Sequence, residues 1–278
     1  MYPYVRSILL PVYIKLRNIK LRNFSKETLY HFTYANVFFD IYVNPKNGFI
    51  DSEIRWKGVY EEDILLFLKK ELKQGDVYVD VGANIGQHAL FASRVVGDTG
   101  MVYAFEPNTP IYEQFNKSVI ASGIKNIKLY NQGLGNKESE SILFVNPINK
   151  GGSSLLAYSE HMEQVNVVIA VGDTVLSSLE KIDFIKIDVE GYELDVLQGM
   201  VSVIKKYKPK ILLEFTPIFY NKKNEKDDGP RIIEFLIDMK YSIRDLEGSQ
   251  PEKVLSTKED IYDWLHSMKR DQTNIFCF

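Results

Sequence analysis

The clearest chemical signal in the sequence is a glycine-containing turn that begins with an acid. It reads YVDVGANIGQHALF, from Tyr78 to Phe91. A glycine-rich turn after a strand normally cradles a phosphate, yet Asp80 lies two residues before Gly82 and would repel a phosphate at a Coulomb cost of about 1–4 kcal/mol. The turn also has Asn84 where a dinucleotide-binding turn needs its central glycine. The pattern therefore favours a ligand without a phosphate and opposes an NAD-dependent oxidoreductase, which stays the alternative enzyme.

A second acid supplies the other half of this candidate site. Glu106 lies twenty residues after Gly86, at the end of the next predicted strand. A carboxylate at that place can bind both hydroxyls of a ribose. S-adenosylmethionine combines a ribose with positive charge and no phosphate, and Asp80 can hold its ammonium directly or through water. The predicted binding residues for this cofactor and its product S-adenosylhomocysteine are Asp80, Gly82, Ala83, Asn84, Ile85, Gly86, Glu106, Pro107, Gln132, Gly133 and Asp188.

Three further acids lie together in the segment KIDVEGYE, from Lys186 to Glu193. Methyl transfer to a hydroxyl benefits from a general base, and paired carboxylates tend to raise the pKa of one of them. We expect Glu190 to be that base and Asp188 mainly to position the reactants. The alternative for Glu190 is a place at the N-terminus of the next helix, where acids are favourable. His88 is a third catalytic candidate, and its alternative role is packing.

The methyl acceptor is expected to meet polar residues at two other places. The predicted acceptor-pocket residues are Ser153, Ser154, Glu214 and Thr216. The sequence shows no His–carboxylate spacing of the kind that metal sites use, so no metal site is predicted.

The elements that must position these residues alternate between strand and helix. Such alternation predicts a mostly parallel, Rossmann-like α/β sheet. In such sheets the ligand lies beyond the carboxyl ends of the strands, and the candidate residues fall at those ends. Residues 36–56 predict a β-hairpin before the sheet, because VFFDIYV and FIDSEIRW both alternate around the turn NPKNG. ELDVLQGMVSVIKKY predicts one helix, and NKKNEKDDGP (Asn221 to Pro230) predicts a loop.

Composition narrows the classes of protein. The chain has 278 residues, a formal net charge of −3 and a single cysteine, Cys277, which excludes an intrachain disulfide and fits a cytoplasmic location. The weak negative charge argues against a nucleic-acid binder. Residues 1–24 are basic and apolar, so we expect them to dock on the protein or on a second subunit; peripheral contact with a membrane surface is the alternative. No apolar run is long enough to span a membrane.

Five segments of the sequence together resemble the FkbM-type family of class I S-adenosylmethionine-dependent methyltransferases. They are VDVGANIGQH, VYAFEPN, GGSSL, IDFIKIDVEGYELDVLQG and KPKILLEFTP. The resemblance implies a seven-stranded sheet whose last strand, TNIFCF, is antiparallel. It implies O-methylation of a sugar, glycan or secondary metabolite, with a small molecule, glycan or lipid-linked sugar as acceptor. We expect an N-terminal extension over residues 1–58 and the methyltransferase domain over 59–278. A non-catalytic cofactor-binding module and a homo-oligomer both stay open.

Overall fold

A computed structural model describes residues 26–146, 153–155, 162–216, 228–268 and 270–278. In chain order its elements are β1 (Thr28–Tyr34), β2 (Val37–Val43), α1 (Phe49–Lys57), α2 (Glu62–Glu71), β3 (Val77–Val81), α3 (Gln87–Val96), β4 (Met101–Phe105), α4 (Thr109–Ala121), β5 (Ile127–Tyr130), β6 (Gly133–Gly135), β7 (Ser139–Val145), β8 (Glu163–Val171), α5 (Gly172–Val175), β9 (Phe184–Ile187), α6 (Glu193–Gln198), α7 (Val201–Tyr207), β10 (Lys210–Phe215), α8 (Asp228–Asp238), β11 (Ile243–Asp245), α9 (Lys258–Ser267) and β12 (Thr273–Cys277).

Seven of these strands form one central sheet in the order β11-β12-β10-β9-β3-β4-β5. The neighbours from β10 to β5 are parallel, whereas β12 pairs antiparallel with both β10 and β11. This confirms the predicted mostly parallel sheet with an antiparallel last strand. Strands β3, β4, β9 and β10 are apolar and almost wholly buried, as expected for strands covered on both faces.

The register of the central strands brings the chemically interesting residues to one edge. Val81 pairs with Phe105 on one side and with Ile187 on the other. The residues that follow these three strands therefore meet at the same carboxyl edge, as the sequence predicted. Below them, Asp80 lies directly opposite Lys186 on the neighbouring strand.

The predicted N-terminal hairpin is wrong in its second half. The two strands of the observed hairpin are β1 and β2, and residues 49–57 form helix α1 instead. The eight residues whose apolar and polar side chains alternate also fit a helix. Asp51 in the first turn and Arg55 and Lys57 in the last turn are favourable to the helix dipole, and Gly58 ends the helix at φ 87°. The buried Asp51 fixes α1 to its surroundings by accepting hydrogen bonds from Asn44 and Gln114.

Two further features lie outside the central sheet: a smaller three-stranded sheet, and a pair of short helices where one helix was predicted. Strands β6, β8 and β7 form a separate three-stranded sheet. The single helix predicted over residues 193–207 is wrong, because the chain forms α6 and α7 with a break at Gly199 and Met200. Gly199 packs so tightly that a Cβ there would lie 1.9 Å from the carbonyl oxygen of Gly135. Helix α9 was not predicted.

Two predictions concern residues outside the described part of the chain. These are the docking or membrane role of residues 1–24 and most of the loop over 221–230. Among the helices of the described residues, none has the length and hydrophobicity needed to cross a lipid bilayer.

Substitution of Gly82, the glycine after β3, tests the packing at the carboxyl edge of the sheet. Gly82 has φ 85°, and a Cβ there would lie 1.8 Å from the backbone oxygen of Asp188. Gly123 also has positive φ, at 61°, but its Cβ would meet nothing within 4 Å. We expect Gly82→Ala to lower the free energy of unfolding by about 3 kcal/mol or more, because strain and overlap add, and Gly123→Ala to lower it by about 1 kcal/mol.

Urea unfolding followed by circular dichroism measures both values. Equal losses for the two variants would contradict the close approach of the β3 turn to the backbone that follows β9.

Candidate active site

A cavity of about 1150 Å³, including its open mouth, lies beyond the carboxyl ends of the central strands. Its wall contains most of the predicted residues. Those are Gly82, Ala83, Asn84, Ile85, Gly86, His88, Glu106, Pro107, Gly133, Ser153, Asp188, Glu190 and Glu214. Within the described part of the chain, the wall does not include Asp80, Gln132, Ser154 or Thr216. Asp80, Ser154 and Thr216 are buried next to it.

The glycines of the turn are required by the packing around them. Gly82 leaves room for the Asp188 carbonyl, and Gly86 leaves room for the Phe115 ring, which a Cβ would meet at 2.2 Å. Both residues have positive φ, as does Asn84 at 52°. The turn is thus shaped mainly by its own packing on β9 and α4.

Glu106 organises the cofactor side of the cavity. One oxygen of its carboxylate accepts a hydrogen bond from the backbone N–H of Asn84 at 2.9 Å, and the other accepts one from Asn108 at 2.8 Å. Burial raises the pKa of Glu106 to about 7, although these two hydrogen bonds oppose the shift. Each oxygen keeps a second lone pair, so the carboxylate remains able to accept hydrogen bonds from a ribose.

Asp80 and Lys186 are buried opposite each other on neighbouring strands, with Lys186 in the cavity wall and Asp80 next to it. Neither oxygen of Asp80 has a hydrogen-bond partner among the described residues, and burial raises its pKa to about 6. The Lys186 ammonium donates to Asp188 at 2.7 Å. Burial lowers the pKa of Lys186, but the charges of Asp188, Asp80 and Glu61 overcome this effect and raise it overall. An unpartnered buried carboxylate is the feature expected where a cationic group binds, so Asp80 fits the ammonium of S-adenosylmethionine.

Asp188 and Glu214 lie at the ends of the adjacent strands β9 and β10, and each affects the pKa of the other. Burial alone would raise the pKa of Asp188, but the Lys186 ammonium lowers it below its usual range. Burial and the charge of Asp188 raise the pKa of Glu214 well above its usual range. Of the two carboxyl groups, Glu214 is therefore the one that is more readily protonated. Gln272 donates a hydrogen bond to Glu214.

Glu190 lies on a strained turn at the cavity wall. Its backbone has φ 53°, and its carbonyl accepts a 2.6 Å hydrogen bond from the hydroxyl of Ser154. Burial, followed by the charges of Asp188 and Glu193, raises the pKa of Glu190 to about 8. Glu193 begins α6, and its carboxylate accepts a hydrogen bond from Gly191, so Glu193 serves the helix N-terminus.

His88 lines the cavity as a neutral side chain. Its Nε2 atom lies 3.4 Å from an oxygen of Glu61, and no described residue forms a hydrogen bond to it. Burial and the nearby Lys186 charge lower the pKa of His88 to about 3. Such an imidazole is a weak base at neutral pH, which favours a contact role over general-base catalysis.

Sequence reasoning missed several residues of the cavity wall. Lys186 is the one Lys or Arg among the described residues that form the wall. Its signal was present, since a lysine inside the apolar strand FIKI has to be neutralised by acids nearby. Tyr60 and Gln87 also line the cavity. The backbone N–H of Tyr60 donates to the side-chain oxygen of Gln87, and the side-chain nitrogen of Gln87 donates to the Tyr60 carbonyl. Gln272 comes from the segment before β12, and nothing in its sequence context indicated a site.

The mostly parallel seven-stranded sheet, with the acid-headed turn at its carboxyl edge, is the fold of a class I S-adenosylmethionine-dependent methyltransferase. Comparison with known families agrees, because the Methyltransferase FkbM domain matches residues 80–243. The chain therefore belongs to the FkbM methyltransferase family, and S-adenosylmethionine is its cofactor.

Individual relatives are similar over part of the chain. The hexuronic acid methyltransferase AglP of Haloferax volcanii is 31% identical over 147 residues, which cover 52% of this chain and 58% of that protein. Methyltransferase 1 of Beauveria bassiana is 26% identical over 58% of this chain and 72% of its own length. The crystal structure of a methyltransferase FkbM from Methylobacillus flagellatus is 17% identical with a TM-score of 0.46, over 80% of this chain and 48% of that one.

The buried acids of the site predict an unusual dependence of stability on pH. The raised pKa values are about 6 for Asp80, about 7 for Glu61 and Glu106, and about 8 for Glu190. A raised pKa means that the folded protein holds these protons more tightly than the unfolded chain. The resulting stability is fully present below about pH 4 and is lost as the pH rises through 6 to 8.

We expect the ligand-free protein to lose about 2 kcal/mol or more of unfolding free energy between pH 5.5 and 8.5. Urea titrations at several pH values measure the slope, and Glu106→Gln should flatten it, because that variant removes one of the titrating groups. A free energy of unfolding that stays constant or rises between pH 5.5 and 8.5 would contradict the raised pKa values of these acids.

Proposed function

We propose that the protein transfers a methyl group from S-adenosylmethionine to a hydroxyl of a sugar, a glycan or a secondary metabolite. The observation that carries the proposal is the group of carboxyl side chains at the acceptor end of the cavity, formed by Asp188, Glu190 and Glu214. Carboxyl groups bind hydroxyls well and can take up the proton that a hydroxyl must lose. The similarity to a hexuronic acid methyltransferase supports an acceptor of the sugar class.

The proposed mechanism divides the cavity into a cofactor half and an acceptor half. Bound S-adenosylmethionine supplies a methyl group on a sulfonium. Glu106 would bind the ribose hydroxyls, and Asp80 would balance the ammonium charge. The turn from Gly82 to Gly86 forms part of the cavity wall on this side. Holding the two reactants in line supplies much of the rate enhancement, because displacement at a methyl carbon needs alignment.

Glu190 is the proposed general base of the acceptor half. Its pKa of about 8 makes the carboxylate a stronger base than an ordinary glutamate, so proton removal from a hydroxyl is more favourable. Asp188 stays ionised beside Lys186 and orients the acceptor. Since the base must be deprotonated to act, the rate should increase with pH through about 8.

The proposed location of the enzyme is the cytoplasm. The proposed acceptor is a small molecule, a glycan or a lipid-linked sugar, and a homo-oligomer stays open. The free Cys277 is buried, which agrees with a reducing compartment. The basic residues 1–24 supply the proposed docking or membrane-surface contact.

The ribose assignment has a direct test in binding. We expect Glu106→Ala to weaken the binding of S-adenosylhomocysteine by about 1–3 kcal/mol, because charge-assisted hydrogen bonds to the ribose are lost. Glu113→Ala, an exposed acid on α4, is the matched control and should bind normally. Isothermal calorimetry measures both variants, and equal affinity of Glu106→Ala and the natural protein would remove Glu106 from the ribose site.

The base assignment has a test in turnover. We expect Glu190→Gln to lower the rate on a hydroxyl acceptor by roughly 10²–10⁴-fold and to leave cofactor affinity nearly unchanged. Glu193→Gln, three residues further on, should retain activity because that side chain serves the start of α6. Full activity in Glu190→Gln would mean that another group removes the proton from the acceptor hydroxyl.

The type of bond formed tests the hydroxyl itself. The protein is incubated with labelled S-adenosylmethionine and with panels of sugars and glycans. The labelled products are then treated with mild base. A methyl ether survives this treatment, whereas a methyl ester is hydrolysed. Base-labile label would overturn the hydroxyl assignment, and the absence of any labelled product would favour a cofactor-binding module without catalysis.

A further inference from the structure

Three carboxyl side chains from two strand ends converge more closely than the sequence spacing indicated. Asp188, Glu190 and Glu214 can each place one oxygen so that all three oxygens lie within 4.8 Å of one another. Because they come from the ends of β9 and β10, no His–carboxylate spacing in the sequence marks them. Carboxylate oxygens are the ligands that hard divalent cations such as Mg²⁺ and Mn²⁺ prefer.

Two of these carboxyl groups are held in place by donors behind them. Lys186 donates to Asp188 at 2.7 Å, and Gln272 donates to Glu214. Outer partners of this kind orient metal ligands and tune their affinity.

An independent buried group on the same wall also lacks a partner. The Nε2 atom of His88 has no hydrogen-bond partner among the described residues, and the side chain is only 10% exposed. His88 lines the same cavity as Asp188, Glu190 and Glu214. A buried acceptor without a donor indicates that a ligand or a ligand-bound water completes this wall.

We propose that Asp188 and Glu214 bind a divalent metal ion at the acceptor end of the cavity, next to Glu190. Mg²⁺ commonly uses one or two protein carboxylates and fills its remaining positions with water and substrate oxygens. His88 then accepts a hydrogen bond from a metal-bound water or from the acceptor. What the metal does for the reaction rests on the proposed function, but its binding does not.

In the reaction, the metal ion binds the oxygen of the acceptor hydroxyl and makes its proton more acidic. Glu190 takes that proton. An oxygen lone pair forms the new bond to the methyl carbon, and the carbon–sulfur bond breaks with its electron pair staying on sulfur. The products are a methyl ether and the neutral thioether S-adenosylhomocysteine, and the metal ion is unchanged.

Binding of Mn²⁺ alone to the full chain tests the site without cofactor or acceptor. Electron paramagnetic resonance counts the free Mn²⁺ during a titration. We expect one saturable site per chain in the natural protein and at least about tenfold weaker binding in Glu214→Gln and in Asp188→Asn. The matched control is Asp263→Asn, an acid from a separate groove that contains Asp245, Glu247 and Asp260; it should bind Mn²⁺ normally.

Melting temperatures of the metal-free variants show whether each one is folded. Binding of Mn²⁺ that is unaffected by both Glu214→Gln and Asp188→Asn would overturn the proposal, as would the absence of a saturable site in the natural protein. An amine-bearing sugar that binds where Mn²⁺ does not would assign the acids to an ammonium group and would also overturn it. Failure of methyl transfer to hydroxyls with intact Mn²⁺ binding would instead count against the proposed function alone.

Discussion

The buried ammonium of Lys186 is the charge on which the site depends. It lies in the middle of the central sheet, opposite Asp80 and 2.7 Å from Asp188. A buried lysine is stable only when acids surround it, and buried acids are stable only when a cation or a proton neutralises them. The pairing therefore determines which side chains can occupy the carboxyl edge of β3 and β9.

One lysine is nevertheless too few for the acids around it. Asp80, Asp188, Glu190 and Glu214 all lie at or below the same cavity, and Glu106 closes its cofactor side. Burial, and after it the charges of neighbouring acids, raises most of their pKa values, so these acids hold protons more tightly than exposed ones. A cavity of this kind favours ligands that bring positive charge. S-adenosylmethionine brings a sulfonium and an ammonium, which supports the proposal that Asp80 assists its binding.

Much of this arrangement was predictable from the sequence because parallel strands place their carboxyl ends at one edge. The turn from Gly82 to Gly86, Glu106 and Asp188 follow directly from that rule. Contacts between distant segments were not predictable, such as the Gln272 amide on Glu214. Helix α1 was mistaken for a strand because eight residues of apolar alternation fit both periods, although the acid in the first turn, the bases in the last turn and Gly58 after them all favour a helix.

We propose that the positive charge of the cofactor neutralises the surplus acids of the cavity. Calorimetric binding of S-adenosylmethionine near pH 7, repeated in buffers of different ionisation enthalpy, counts the protons exchanged on binding. Net release of protons is predicted, with greater release for S-adenosylmethionine than for S-adenosylhomocysteine, because only the former carries a sulfonium. Binding with no proton exchange, or with net proton uptake, would contradict the account.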